Sequence, residues 1–493
     1  MRRQGSKLVM PSMREGCAVR CYTTDLKTVC AQSSHSFYRD DDAEFGLVAC
    51  YPDRTYQQIV GFGAALTESS AYVFAQMPEP VQDEFLRLTF GDASAGWRKA
   101  EAAAPLAGFA DGDAVVRDLG LLPGNGYNLA RTHIQSCDFS LGSYAHVVPF
   151  DKELRSFSIE RDKQLLVPFL RCCLVANDAL RILAAPWSPP AFMKNIPSMK
   201  HGGRLKRNYY GNWAQMLVRY VQAYRAEGVP IAALSVQNEP MASQDWESCL
   251  FSAAEELEFA GGYLRPALDA AGLGHVKLFA WDHNKDRVFE RAMSTLGADP
   301  GVFDGVAFHG YAGDHFEELR AVSEAFPSAA LLFTEGCMEY VPDWRTDVQR
   351  SVRKAERYAH EIMGDLNAGA CGFIDWNVLL DEQGGPNHVG NFCEATLMYD
   401  SKREELCANR SFVYIGHFSR YVKPGARRFL ASRYTDRIEC VGFVNPDGTR
   451  VLVVLNRTGA SVKLRIAERP YVADCPVSAH SISTFTWAPD ELS

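Results

Sequence analysis

Long apolar runs are missing from this sequence: none approaches the roughly 20 residues that a membrane-spanning helix needs. That excludes a chain organised around helical membrane spans. An apolar leader core is missing as well. Two arginines and a lysine open the chain, but only Leu8, Val9 and Met10 follow before Pro11, too few for the core of a secretory signal. A cytoplasmic location is the expectation, with a processed secreted form left open. Positive charge is scarce, with 51 Lys and Arg against 60 Asp and Glu and a formal net charge of −9. The broad basic face that nucleic acid requires is not expected, and the short basic stretch 200–207 reads as a solvated loop. None of the 14 cysteines forms a C-x-x-C pair or stands at zinc-ligand spacing from histidines. They read as buried free thiols in a reducing compartment. Asp282 and His283 are adjacent candidate ligands without spaced partners, so no metal is expected. No G-x-G-x-x-G follows an early strand, which argues against a dinucleotide site, and no cofactor is implied.

What the 493-residue chain does have is ordinary globular composition, 47% hydrophobic and 23% charged. Short apolar runs recur at 58–66, 128–134, 180–187, 231–237, 276–281, 305–311, 330–334 and 370–376. Helical patterns lie between them, as at 162–177, 212–227 and 252–271, the last opening with Ser252 three residues before Glu255, a capping box. Trp213 shares helical spacing with Leu217 and Tyr220 and reads as core. Strands alternating with helices imply a parallel sheet. Eight such units over about 320 residues fit a closed (β/α)₈ barrel better than an open doubly wound sheet. The expected class is therefore α/β, a (β/α)₈ TIM barrel with an attached all-β sandwich. Strand-like runs at 437–444, 450–456, 461–466 and 481–487, with the turn Asn445-Pro446-Asp447-Gly448, form the appendage. Residues 1–55 are expected to add strands to it, with the barrel over 56–391 and the sandwich over 392–493. The Ala- and Gly-rich stretch 91–125 reads as an insertion.

In such a barrel the active site forms at the carboxyl ends of the strands. Those ends carry Asp138, Trp187, Asn238-Glu239, Asp282-His283, His309 and Tyr311, Glu335, and Asp375-Trp376-Asn377. Glu239 ends the fourth strand and Glu335 the seventh, which face each other across the mouth. Two carboxylates facing across a cleft suit glycosidic bond cleavage, one as acid/base and one as nucleophile. Asn238 stands to hydrogen-bond a sugar 2-hydroxyl, Trp187 and Trp376 to offer flat faces to a pyranose, and Tyr311 to hold Glu335 ionised. His309 reads either as a site residue or as a satisfied histidine of the barrel interior. A single glutamate after a strand is more often a capping residue; the pair in register is what carries the reading. Glu239 is expected to be the protonated member, raised by the charge of Glu335 and by burial.

GFGAALTESS (61–70), SCDFS (136–140), APWSPPAFMK (185–194), QNEP (237–240), FHGY (308–311), FTEGC (333–337), DWN (375–377) and GGPNHVGNF (384–392), in that order, resemble glycoside hydrolase family 30. The branch holding glucosylceramidases is the most similar. The resemblance runs over roughly 56–487. It implies a retaining mechanism with Glu239 as acid/base and Glu335 as nucleophile. It also implies a sugar subsite lined by Arg131, Asp138, Trp187, Asn238, Tyr311, Trp376 and Asn391, with Asp138 on the distal hydroxyls. The implied substrate is a carbohydrate bearing a terminal β-glucosyl unit, a glucoside or a glucosylceramide-like lipid. A β-1,6-glucanase, a β-xylosidase or a β-fucosidase is the alternative, and a catalytically silent sugar-binding protein a further one. The sequence departs from the pattern in a longer 91–125 segment, a shorter loop at 241–248 that carries Trp246 toward the aglycone side, and Gly310 where an aromatic is common. These departures lie where the leaving group would sit.

Overall fold

The computed structural model describes residues 13–91, 109, 113–116 and 118–489, so most of the expected insertion lies outside the described residues. Eight parallel strands close a barrel: β1 (Gly61–Ala65), β2 (Leu129–Ile134), β3 (Arg181–Pro186), β4 (Ile231–Ser235), β5 (Lys277–Asn284), β6 (Gly305–His309), β7 (Ala330–Glu335) and β8 (Gly372–Asp375). They follow one another around the barrel in chain order, β8 returning to β1. All eight expected runs are there. Both faces of a parallel strand are covered, one by the barrel interior and one by helices, so each strand is apolar almost throughout rather than alternating. The neighbouring strand leaves no room for a side chain at Gly63, where a β-carbon would stand 1.7 Å from the carbonyl oxygen of Leu129.

The helices follow their sequence signals. Tyr210–Ala226 buries Trp213, Leu217, Tyr220 and Tyr224 on one face. Ser252 caps the next helix, accepting from the N–H of Glu255 while the Glu255 carboxylate accepts from the N–H of Ser252. The expected single helix over 252–271 is interrupted: Ala253–Phe259 passes through a π-helical turn, Ala260–Leu264, before Arg265–Ala270. Gly261, Gly262 and Pro266 lie in or next to that turn, and Pro266 lacks the N–H that the regular ladder needs.

Two irregularities in the barrel matter for the site. The pairing of β5 with β6 shifts register between Trp281 and His283, leaving Asp282 as the extra residue. The pairing of β6 with β7 shifts so that Phe308 faces Phe333 while His309 faces Glu335, leaving Thr334 extra. Each is a β-bulge, which breaks the alternation of side chains and re-aims those around it. The first is braced from outside: the Glu256 carboxylate accepts from the N–H of Trp281 at 2.8 Å and from Arg291 at 2.8 Å.

The all-β part is a ten-stranded sheet in which the N-terminal strands Ala18–Thr24, Ala31–Ser36, Tyr38–Arg39 and Leu47–Gln58 join six C-terminal ones. Val19, Val48, Leu452, Leu464, Val477 and Phe485, drawn from both halves of the sheet, share one core, so the sheet folds over on itself. Asn445-Pro446-Asp447-Gly448 makes the expected turn, with Gly448 at φ +85°, where only glycine is at ease. The boundary expected at 391/392 falls too early. Cys393–Glu394, Leu397–Asp400 and Glu405–Asn409 pair with strands near the barrel mouth. The helix Arg410–Ser419 is buried along its whole length, and the sheet resumes only at Arg427–Arg433.

The Gly63 contact makes a sharp test. Alanine there drives a methyl into a neighbouring backbone carbonyl that cannot rotate away, and overpacking of this kind costs about 3 kcal/mol or more. Gly63→Ala is expected to lower the denaturant midpoint by that equivalent without changing the slope.

Candidate active site

The chain leaves β4 through Val236 and Gln237 and turns at Glu239, whose backbone is left-handed at φ +45°. Two hydrogen bonds hold the turn: Asn238 N–H donates to the Pro186 carbonyl at 2.9 Å and Glu239 N–H to the Asp282 carbonyl at 3.0 Å. Trp281 and Asp282, at φ +73° and +50°, are left-handed too. Three neighbouring non-glycine residues in this region constitute stored strain, of the kind that persists where surrounding structure over-determines the backbone.

Arg131, from the middle of β2, is fully buried at the barrel mouth. Its Nη1 donates to Glu335 Oε2 at 2.5 Å, and its Nη2 donates to Asn238 Oδ1 at 2.7 Å and Asp282 Oδ2 at 2.9 Å. Its guanidinium lies 4.7 Å over the Trp187 ring, a cation–π contact. Asp282 also accepts from Thr334 Oγ1 at 2.6 Å and lies 3.1 Å from His309 Nε2. The other imidazole nitrogen, Nδ1, is 3.2 Å from Glu239 Oε1 and 4.0 Å from Glu335 Oε1. One imidazole therefore stands between the two carboxylates. Tyr311, at the rim, donates to Glu335 Oε1 at 3.0 Å, as expected.

Trp187 and Trp376 stack on each other with centroids 5.4 Å apart, but they are only 2% and 3% exposed. They form the floor of the site and brace Arg131 rather than standing as open platforms. Trp246 packs against the same cluster from the loop after Glu239. Asp138 is buried beside them and accepts from Asn391 Nδ2 at 3.1 Å. All eleven residues singled out from sequence come together here. What sequence reading missed is Asp282 as the hub. Its adjacency to His283 at a strand end was visible, but the bulge that turns it inward was not.

The electrostatics run against one expectation. Burial opposes charge on His309, yet Glu335, Asp282 and Glu239 raise its pKa to about 9. Burial likewise disfavours an ionised Glu239, but the hydrogen bond and charge of His309 draw it below the usual range. Burial pushes Glu335 up, partly offset by His309 and Arg131. Glu239 was expected to hold the proton; in the free site His309 holds it instead. Asp282 is buried, but Arg131 and His309 keep it ionised far below the normal range. Asp138, desolvated and facing the charge of Glu335, is pushed up to about 8.

Buried carboxylates facing each other at the mouth of a (β/α)₈ barrel, over a floor of tryptophans, mark a glycoside hydrolase. The chain belongs to glycosyl hydrolase family 30: residues 111–422 match the family's TIM-barrel domain and residues 425–485 its beta sandwich domain. It is 28% identical to the lysosomal acid glucosylceramidase of Mus musculus, over 90% of this chain and 83% of that protein. Its fold superposes on SrfJ from Salmonella typhimurium with a TM-score of 0.86 at 37% identity, covering 96% of this chain and 99% of that one. The endo-β1,6-glucanase BT3312 follows with a TM-score of 0.78 at 27% identity, covering 95% and 99%.

Asp138 gives a pH test. Its folded-state pKa of about 8 lies above the unfolded value of about 3.9. The folded state thus keeps a proton that the unfolded chain releases, and this contribution to stability is full below pH ~4 and lost as pH rises toward 8. Asparagine cannot ionise. Asp138→Asn is expected to melt close to the parent at pH 4 and increasingly above it up to pH 8. A constant gap across that range would mean that Asp138 is ionised throughout.

Proposed function

We propose that the chain is a retaining β-glycosidase that removes a terminal β-glucosyl unit, with Glu239 as acid/base and Glu335 as nucleophile. The observation that carries this reading is the His309 imidazole reaching both carboxylates, at 3.2 and 4.0 Å. Sharing one nitrogen keeps the two carboxylate oxygens within about 7 Å of each other, a gap that accommodates the separation of about 5–5.5 Å used by retaining enzymes. Glu335 is held by Arg131 on one oxygen and Tyr311 on the other, which aims it and stabilises its charged form. In the first step it attacks the anomeric carbon while Glu239 gives a proton to the departing oxygen. In the second, Glu239 takes a proton from water, which displaces the sugar from Glu335. Asn238 Oδ1 is engaged by Arg131, so its Nδ2 is the end that donates to the 2-hydroxyl. Asp138 and Asn391 serve the distal hydroxyls, and a protonated Asp138 donates as well as accepts.

The glucosylceramidase relative supports the terminal glucosyl unit. A second reading, endo action on a β-1,6-glucan, is supported by the likeness to BT3312, and a β-xyloside or β-fucoside specificity is carried by the family resemblance alone. The shorter loop at 241–248 falls on the aglycone side, and with Trp246 it makes a simpler aglycone than ceramide our preferred one. The 14 cysteines stand as thiols, most of them buried, in keeping with the reducing, cytoplasmic setting we propose.

Incubation with a 2-deoxy-2-fluoro-β-glucoside bearing a good leaving group is expected to trap a glucosyl ester on the peptide containing Glu335. An unlabelled protein that still hydrolyses the substrate would refute the retaining mechanism. Across a panel of nitrophenyl β-glucoside, β-xyloside, β-fucoside and β-galactoside, the β-glucoside is expected to be cleaved fastest. Glu239→Gln should lose about 10²–10⁴ of that rate, and Glu335→Gln all of it. If none of the panel is cleaved and a β-1,6-glucan is, the endo reading replaces this one.

A further inference from the structure

Three nitrogen and oxygen donors converge at the acid/base position. Glu239 Oε1 lies 3.2 Å from His309 Nδ1 and 3.6 Å from His283 Nδ1. All three donor atoms fall within 4.8 Å of one another. The sequence offered His283 no spaced partner; the fold supplies two, one from the end of β4 and one from β6. His283 faces the site because of the bulge in β5. Its Nδ1 is buried and makes no hydrogen bond, which leaves that nitrogen available to a ligand. His309 is oriented by Asp282 through Nε2 at 3.1 Å, the carboxylate–histidine arrangement that fixes a metal-ligating tautomer.

The spacing suits a tetrahedral ion. With metal–ligand bonds of about 2.0–2.1 Å, neighbouring ligands stand about 3.3–3.4 Å apart, and the two distances from Glu239 bracket that edge. Imidazole and carboxylate donors match zinc in type as well. We propose that Glu239, His283 and His309 form a site for a divalent transition metal, zinc being the best fit, in which the bound ion shuts the acid/base off from substrate. The ion replaces the Nδ1 proton of His309, which leaves to solvent, and its fourth position opens toward the cleft where the glycosidic oxygen would lie. Zinc and substrate then compete for one place. Binding stands on this geometry alone; inhibition also rests on Glu239 being the acid/base.

The test measures the two separately. Calorimetry with zinc alone is expected to show one ion bound per chain, weakened at least tenfold in His283→Asn. X-ray absorption on the zinc-loaded wild-type protein should show two imidazoles and oxygen, without sulfur. Equal zinc affinity in His283→Asn overturns the site. So does a sulfur shell, which would put the ion on Cys337 and Cys393, whose Sγ atoms are 3.0 Å apart at the rim. Should His283→Asn fail to fold, the absorption spectrum of the wild-type protein decides alone. In hydrolysis assays zinc is expected to inhibit reversibly, with full recovery on chelation and with relief by excess substrate, and the activity that His283→Asn retains, measured against its own zinc-free rate, should resist zinc at least tenfold better than the parent's. Zinc bound as described but without effect on hydrolysis upholds the site and overturns the acid/base assignment of Glu239.

Discussion

The site depends on one buried cation. Arg131 has no exposed surface, and a lone guanidinium in that position would be prohibitively costly. It is tolerated because Asp282 and Glu335 neutralise it, Asn238 accepts from it and Trp187 covers its face. The dependence runs both ways. Asp282 stays charged because Arg131 is beside it, and a charged Asp282 is what orients His309 and, through its backbone carbonyl, the turn at Glu239. Removing the guanidinium would leave two buried carboxylates with His309 as their remaining cationic partner, so the cost would appear in stability as well as in geometry. The planar fork matters too: one group reaches acceptors from three different strand ends, which a lysine ammonium on a flexible stem does not reproduce.

A regular barrel could not build this cluster. Alternation would send Asp282 and His283 to opposite faces, and Thr334 and Glu335 likewise. With the two bulges, Asp282 meets Arg131, His309 and Thr334, Glu335 meets Arg131, and His283 meets Glu239. Bulges leave backbone in unfavourable conformations, as at Trp281 and Asp282, and the structure holds them from behind. The buried carboxylate of Glu256, itself held by a donor from the buried Arg291, accepts from the N–H of Trp281 on the helical side. A charged pair outside the barrel thus supports the position of groups inside it.

Much of this was legible in the sequence. All eight barrel strands could be read because parallel strands are covered on both sides and so are continuous apolar runs. The capping box at Ser252 and the turn at Asn445–Gly448 could be read because each is a local pattern with a local cause. Two strands of the sheet were missed. Arg427–Arg433 is rich in arginine and mostly exposed toward its end, and Tyr471–Val477 carries Asp474 and Pro476 next to the short edge strand Tyr38–Arg39. Arg427–Arg433 runs in the middle of the sheet, between Glu439–Val444 and Leu47–Gln58, yet lacks the apolar alternation that reveals a strand, while the proline of Tyr471–Val477, tolerated next to an edge, argues against a strand when read in sequence. The domain boundary was placed early because the barrel's last helix follows three short strands that look, in sequence, like the start of the appendage. At the site, residue identities were legible and their connections were not. Glu239 and Glu335 could be paired by strand number, whereas the role of Asp282 needed the bulge.

The resting proton is the clearest case of such a connection. Two carboxylates considered alone put the proton on whichever is more buried or closer to its twin's charge. With His309 between them, the imidazole becomes the better base. The cluster of Arg131, His309, Asp282, Glu239 and Glu335 then has nearly the right number of protons for an acid/base and an ionised nucleophile, with one of them on nitrogen instead of oxygen. Moving it across the 3.2 Å contact from His309 Nδ1 to Glu239 Oε1 would produce the protonated acid that the proposed first step needs. Filling the cleft with sugar favours that move, because excluding water costs an ion pair its remaining solvation while the neutral pair loses less. On the proposed assignment His309 is in this sense a store for the proton that Glu239 would deliver, and the same geometry would make it a metal ligand once that proton is gone.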